Sequence, residues 1–224
     1  MSGRIQRLDF NGSSNIGAFC RVTDHWVLQG PSNEVTTQRL TQLFEKEPIS
    51  TTIGQSTLIG ILTVGNKKGL LVPQIVFDEE LESLQELGIP IVQLESKLTA
   101  LGNLILTNDH AALVSTAFSK KEQKIIRDAL DVEVNASQIA GSELVGSFCV
   151  VTNNGLLAHT DVSEEELDWL GSFFSVGTDI GTINCGVPYV SIGLLATLKA
   201  AAAGFETTGP ELMRITEAFF SNTP

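Results

Sequence analysis

The chain is poor in the residues that support redox, metal and disulfide chemistry. Three cysteines occur in 224 residues, an odd set without CxxC spacing, so neither a disulfide framework nor a zinc knuckle is built from them. Cys20 and Cys149 fall in apolar stretches and read as small buried hydrophobes of a reducing compartment. Three histidines without an HxxxH pair leave no metal site, and Asn108-Asp109-His110 alone is too short to be one. No GxGxxG or GxxxxGK[ST] loop is present, so no nucleotide or other cofactor is expected. The amino terminus, MSGRIQRLDF, lacks the apolar centre of a signal peptide. The longest apolar tract, 187–205, is interrupted by Lys199 and is not read as a membrane span. A soluble, cytoplasmic protein is expected. Basic residues are also scarce: 14 Lys and Arg stand against 26 Asp and Glu, a net charge of −12. A bare phosphate backbone repels such a chain, which disfavours free nucleic acid and favours a basic protein partner.

What the sequence does contain is a repeat. Residues 58–73, LIGILTVGNKKGLLVP, form an apolar run, a tight polar link and a second apolar run, which is a hairpin signature. Variations stand at 15–28, 100–114, 144–158 and 191–205. Their anchor glycines, Gly17, Gly60, Gly102, Gly146 and Gly193, are spaced 42–47 residues apart. Self-similarity at that period decides the architecture before any local reading does. Each unit opens with an extended stretch, at 5–10, 49–53, 91–94, 132–135 and 180–184, and closes with an amphipathic helix. Ser119-x-x-Glu122, Ser163-x-x-Glu166 and Thr208-x-x-Glu211 are capping boxes, and Asp78 is the expected cap of the second helix. Trp26 and Trp169 are expected to pack, and Lys120, Lys121 and Lys124 to face solvent.

An open solenoid needs dedicated polar caps at both ends, and the terminal units here keep the common pattern. The expected fold is α/β: a closed, pentein-type ring of five pseudosymmetric ββ-α-type repeats (an α/β propeller), strands toward the axis and helices outside. It takes in 1–224 as one domain with units near 4–48, 49–90, 91–131, 132–178 and 179–221. Rotational repetition places the links on one face: Asp24-His25, Asn66-Lys67-Lys68, Asn108-Asp109-His110, Asn153-Asn154, and Lys199 with its alanines. Asn and Gly there are expected to supply positive φ.

A five-unit ring also resembles the fold of guanidine-modifying penteins, which need a cysteine nucleophile and a histidine base. Cys185, in Asn184-Cys185-Gly186, is the one plausible nucleophile, with His110 or His159 as base. None lies in a motif of those enzymes, so the hydrolase remains the alternative and a non-enzyme the expectation.

The segments Asn66-Lys-Lys-Gly-Leu-Leu-Val-Pro73, Leu98-Thr-Ala-Leu-Gly-Asn103 with Thr107-Asn-Asp109, Leu144-Val-Gly-Ser147, Gly181-Thr-Ile-Asn184 and Thr207-Thr-Gly-Pro-Glu-Leu212 resemble the translation initiation factor six family. The likeness runs from about Asn15 to Phe219, nearer the archaeal form, which has no extended carboxy-terminal tail. It implies a monomeric, non-enzymatic ring that binds the large ribosomal subunit on its intersubunit face and blocks joining of the small one. The implied contact is chiefly with ribosomal protein uL14 near the sarcin–ricin loop. Binding positions carried over from the family are Asn66, Lys67, Asn108 and Phe148; Lys68, Asp109 and Asn153 join them as neighbours in the links. The fifth link, Thr197-Leu-Lys-Ala200, departs from the family pattern, as do Cys185 and the stretch Gln29-Gly-Pro-Ser-Asn33.

Overall fold

The computed structural model describes residues 4–221, so the amino-terminal stretch read above begins outside it. Five three-stranded sheets follow one another along the chain. Each is an antiparallel hairpin whose returning strand takes a third strand in parallel. The first sheet holds Cys20–Val22, Val27–Gln29 and Ile49–Ser50; the second, Val64–Gly65, Leu70–Pro73 and Ile91–Leu94. The third holds Ile105–Thr107, Ala111–Val114 and Glu133–Ala136; the fourth, Cys149–Val151, Gly155–Ala158 and Gly177–Ile180. A parallel partner needs a crossover, and the outer helix supplies it. The strand that opens each expected unit is therefore hydrogen-bonded into the sheet of the unit before. In the fifth sheet Leu194–Ala196 and Ala200–Gly204 are completed by Arg4–Leu8, with Arg4 opposite Ala200 and Leu8 opposite Gly204. The chain thus closes on itself with its own first strand.

Around the axis runs a second closed circle, of one-turn helices: Ile16–Phe19, Ile59–Leu62, Leu101–Leu104, Val145–Phe148 and the 3₁₀ turn Val190–Ile192. Four of the five anchor glycines, Gly17, Gly60, Gly102 and Gly146, sit in these turns and not in the strands expected there. A Cβ at Gly60 would collide with the Gly17 carbonyl, one at Gly102 with Gly60, and one at Gly146 with Gly102. Backbone packs on backbone here, and only glycine permits that approach. The circle corrects one expectation. Gly17 abuts Ser191, so Ser191 and not Gly193 holds the fifth anchor position. There the turn is 3₁₀, and the Ser191 hydroxyl donates to Ser147 O at 3.2 Å. Gly193 is small for a different reason, since the Asn184 side chain lies against it.

The core is divided into five wedges, each between neighbouring sheets and under an outer helix. Val64, Leu71 and Leu94 of the second sheet meet Ile105, Ala112 and Val114 of the third beneath Ile126 and Leu130. Leu106 and Leu113 meet Cys149 and Leu156 beneath Leu170 and Phe174. Leu8, Ala200 and Ala202 meet Cys20 and Val27 beneath Leu40 and Phe44. Apolar area removed from water stabilises at roughly 25 cal/mol per Å², and removing any unit would expose two wedges at once.

Five outer helices, Glu34–Phe44, Asp78–Leu84, Lys120–Leu130, Glu164–Phe174 and Gly209–Phe220, each follow the returning strand of a hairpin. Glu122 accepts from Ser119 N at 2.7 Å, and Glu166 from Ser163 N at 3.0 Å, as the capping boxes require. Asp78 proves to be the first helical residue. The cap position is Phe77, which has no side-chain acceptor, and Glu80 reaches back to accept from Phe77 N at 2.9 Å. Asn33, not anticipated, caps the first helix by accepting from Thr36 N at 2.9 Å. The fifth expected extended stretch, 180–184, lies later than its strand, Gly177–Ile180, because 181–184 already belongs to the turn into the axial circle. Trp26 is buried, whereas Trp169 is partly exposed and stacks on Phe173.

A candidate docking face at one end of the ring

The five hairpin links lie together at one end. Each is closed by the side chain of its first residue, and none uses a positive φ. Asn66 Oδ1 accepts from Lys68 N at 2.8 Å and Gly69 N at 3.3 Å. Asn108 Oδ1 accepts from His110 N at 2.9 Å and Ala111 N at 3.0 Å. Thr23, Thr152 and Thr197 use their hydroxyls in the same way, toward Trp26 N, Gly155 N and Ala200 N. The expectation that Asn and Gly serve here through left-handed backbone is thus replaced by a side-chain acceptor that satisfies the turn N–H groups. The fifth link is Thr197-Leu198-Lys199, and the alanines after it form the strand.

The same side chains tie neighbouring units together. Asn66 Nδ2 donates to Asn108 O (3.2 Å) and to Leu130 O (2.9 Å), the last residue of the third outer helix. Asn108 Nδ2 repeats this with Thr152 O (3.2 Å) and Phe174 O (3.3 Å). Trp26 Nε1 reaches Asn66 O at 3.1 Å, and Asn154 Nδ2 reaches Phe219 O at 2.6 Å. The second link positions form another chain. Asp109 accepts from Lys67 N (3.0 Å), Asn153 accepts from Asp109 N (3.0 Å), and Asp24 accepts from Leu198 N (2.8 Å). Lys67 and Leu198 carry no acceptor, and the chain is interrupted behind them.

This geometry sorts the expected site residues. Asn66, Asn108 and Phe148 are buried. The two asparagines spend their donors and acceptor on the links, and Phe148 stacks on His159 with centroids 4.3 Å apart. They shape the face from beneath. Lys67 and Lys68 are exposed, while Asp109 and Asn153 are half-buried and hydrogen-bonded to each other at 2.7 Å. Lys67 Nζ also lies 3.8 Å from Asp109, and Lys68 Nζ 3.3 Å from Asp131, pairs that contribute little at a wet surface. The sequence reading names the links but does not single out His25, His110, Leu198 and Lys199, which are exposed members of the face. Their position third in a link, or second in the fifth, is the available signal.

Charge is distributed unevenly between the ends. The exposed lysines of the links are Lys67, Lys68 and Lys199. The acidic pair Asp24 and Asp109 is drawn inward: burial raises the Asp24 carboxyl, the Leu198 N–H draws it back, and the charge of Asp109 raises it again. Exposed acids are frequent at the opposite end, where outer helices begin with Glu34, Asp78, Glu79, Glu164 and Glu165, although the third begins with Lys120 and Lys121, and Glu45 and Asp131 stand at the link end. Helix N-termini favour negative charge, which accounts for that placement.

The proposed nucleophile and bases of the alternative reading are not brought together. Cys185 lies in the turn at the acidic end, with its backbone N–H on Glu211 at 3.2 Å, and His110 lies in a link at the other. His159 Nδ1 accepts from Asp161 N at 3.0 Å beneath Phe148. Cys20 and Cys149 are buried, and burial pushes their thiols far up. Among the described residues no group of His, Cys, Asp and Glu could hold a metal ion, and no helix is long and apolar enough to cross a membrane.

The model of the eIF-6 family matches residues 5–218. Translation initiation factor 6 of Pyrococcus abyssi is 45% identical over 221 residues, covering 96% of this chain and 97% of that protein. The Methanocaldococcus jannaschii protein of the same name is 41% identical, covering 96% and 97%. Eukaryotic translation initiation factor 6 of Tetrahymena thermophila is 35% identical, covering 97% and 91%. Among solved structures, the N-terminal domain of an ArgZ variant covalently bound to a reaction intermediate gives a TM-score of 0.46 at 11% identity, over 91% of this chain and 71% of that one. A likeness of that size does not bear on activity. With a family match along nearly its whole length and relatives of full-length coverage in archaea and eukaryotes, the chain belongs to the eIF-6 family of translation initiation factors.

Proposed function

We propose that the protein binds the large ribosomal subunit on its intersubunit face, through the link end of the ring, and that its bulk there keeps the small subunit from joining. The observation that carries this reading is the link face itself: five differently decorated turns, locked to one another and to the ends of the outer helices. A pre-formed face loses little conformational entropy on docking, and binding energy concentrates in a few central residues. Ribosomal protein uL14 beside the sarcin–ricin loop is the partner this reading names. Asp109 and Asn153 offer acceptors to a basic protein, and Lys67, Lys68 and Lys199 suit the phosphates of bordering RNA.

Co-sedimentation with purified large subunits at two or more salt concentrations tests it. The charge reversal Lys67→Glu/Lys68→Glu is expected to weaken binding at least about tenfold and to flatten its salt dependence. Glu164→Lys/Glu165→Lys, at the far end, is expected to leave it unchanged. The reverse pattern would transfer the docking face to the acidic end. Failure of the wild-type protein to hold large subunits apart from small ones would sink the proposal as a whole.

A further inference from the structure

Inside the ring lies a cavity of about 340 Å³, lined by residues from all five units. One cation enters it. Arg21 extends from the first sheet across the axial circle, where its Nη2 donates to Thr63 O at 3.0 Å and to Gly60 O. The guanidinium lies over Gly102, in space a Cβ there would occupy. Among the described residues Nη2 alone is engaged: Nε is buried without a partner, and Nη1 makes no hydrogen bond. No ion pair joins Arg21 to a carboxylate among the described residues. The side chain keeps some accessible surface but is desolvated as fully as a core residue. Arg21 is among the residues that line the cavity, so part of that surface faces it. Burial lowers the guanidinium to about 10, which still leaves it charged at neutral pH.

A buried charge without a counter-charge is costly. Water in the cavity could satisfy Nη1 but could not neutralise the charge. The acids that share the cavity, Asp24 and Asp109, stand at its link end, whereas Arg21 is anchored at the level of the one-turn helices. No ion pair joins Asp24 to Arg21 among the described residues, and burial, the Leu198 N–H and the charge of Asp109 are what act most on its carboxyl. The other polar groups that line the cavity, among them Asn15, Asn103, Ser147, Tyr189 and Ser191, are neutral, and apolar Ala18, Ile61 and Ile192 stand between them.

We propose that the axial cavity is a binding site for a small inorganic oxyanion of phosphate size, held by the unengaged Nη1 of Arg21. Planar guanidinium groups match tetrahedral oxyanions through paired N–H donors. The bound anion would neutralise the one charge that the ring encloses without a partner.

Equilibrium dialysis of the full chain against radiolabelled inorganic phosphate in low-chloride buffer reads the site directly. About one saturable equivalent per chain is expected, lost at least tenfold in Arg21→Met and retained in Lys67→Ala/Lys68→Ala/Lys199→Ala, with folding of each variant confirmed by circular dichroism. No saturable uptake by the wild type, uptake unchanged in Arg21→Met, or uptake lost with the surface lysines would each overturn the proposal. If Arg21→Met does not fold, crystals of the wild-type protein grown with selenate decide the matter. An anomalous peak within hydrogen-bonding distance of Nη1 supports the site, and a cavity holding water only refutes it.

Discussion

Truncating Asn108 to alanine is the sharpest test of how the link face is held. The side chain is 5% exposed and serves four main-chain groups: the N–H groups of His110 and Ala111, and the carbonyls of Thr152 and Phe174. Its loss leaves two donors and two acceptors in three different segments without their mate. A buried group so orphaned costs about 1–3 kcal/mol, toward the lower figure when water can enter the vacated space. The vacated space here borders the surface at His110 and Asp109, so about 1 kcal/mol per group applies, or about 3–4 kcal/mol in all. For a domain of this size, 1 kcal/mol shifts Tm by about 2–4 °C, which places the Asn108→Ala midpoint about 10 °C below wild type. Thermal unfolding followed by circular dichroism measures it, with a urea titration to confirm an unchanged m value. Asn153→Ala is the control, since its partners Asp109 and solvent remain available; it is expected to cost less than about 1 kcal/mol. A midpoint for Asn108→Ala within about 2 °C of wild type would mean that the links are held by other contacts and that Asn108 is free to meet a partner.

Other outcomes follow from the axial circle and the carboxylates. Gly60→Ala places a methyl against the Gly17 and Cys20 carbonyls, backbone that cannot yield, and is expected to cost more than about 4 kcal/mol and to abolish soluble expression. Gly141→Ala meets nothing within 4 Å and carries only its positive φ of 72°, so about 1 kcal/mol is expected from urea titration. Burial acts to raise the Glu211 carboxyl, but hydrogen bonds from Thr208 N, Thr182 Oγ1 and Gly186 N outweigh it and hold the group at about 2. A depressed carboxylate stabilises the fold fully above its unfolded value near 4.5, and the contribution fades as pH falls toward 2. Glu211→Gln should therefore cost about 2 kcal/mol at pH 7, after allowance for solvent screening, and should flatten the acid limb of the stability curve.

The ring was legible because its evidence is local and repeated. A glycine, an apolar run, a polar link and a second run recur within fifteen or so residues, and helix caps such as Ser119 with Glu122 are satisfied three positions apart. What depends on contacts between units was not legible. Asn66 closes its own turn within three residues, yet its other two bonds reach 42 and 64 residues along the chain, to Asn108 and Leu130. Nothing in the residue type separates an asparagine aimed outward at a partner from one turned inward to clasp a helix end. The fifth anchor misled for a similar reason: Gly193 continues the visible pattern, while the contact that defines the position, Gly17 against Ser191, is made across the closure. Arg21 is not legible either, because a single arginine in a strand has no sequence feature that reports an enclosed, unneutralised charge.

The pairing of Arg4–Leu8 with Ala200–Gly204 sets the order of assembly during synthesis. Four sheets can form as soon as a short stretch of chain beyond each hairpin has emerged, but the fifth joins the earliest strand made to one of the latest. Until then the nascent protein is an unfinished arc whose leading strand has no neighbour and whose final wedge is open to solvent. Loop closure over nearly the whole polypeptide is the last and slowest of its contacts. A ribosome that stalls before Ala200–Gly204 has emerged would therefore display an arc able to pair with the loose strand of another chain, so that exchange between neighbours on one message is the characteristic way for this architecture to go astray.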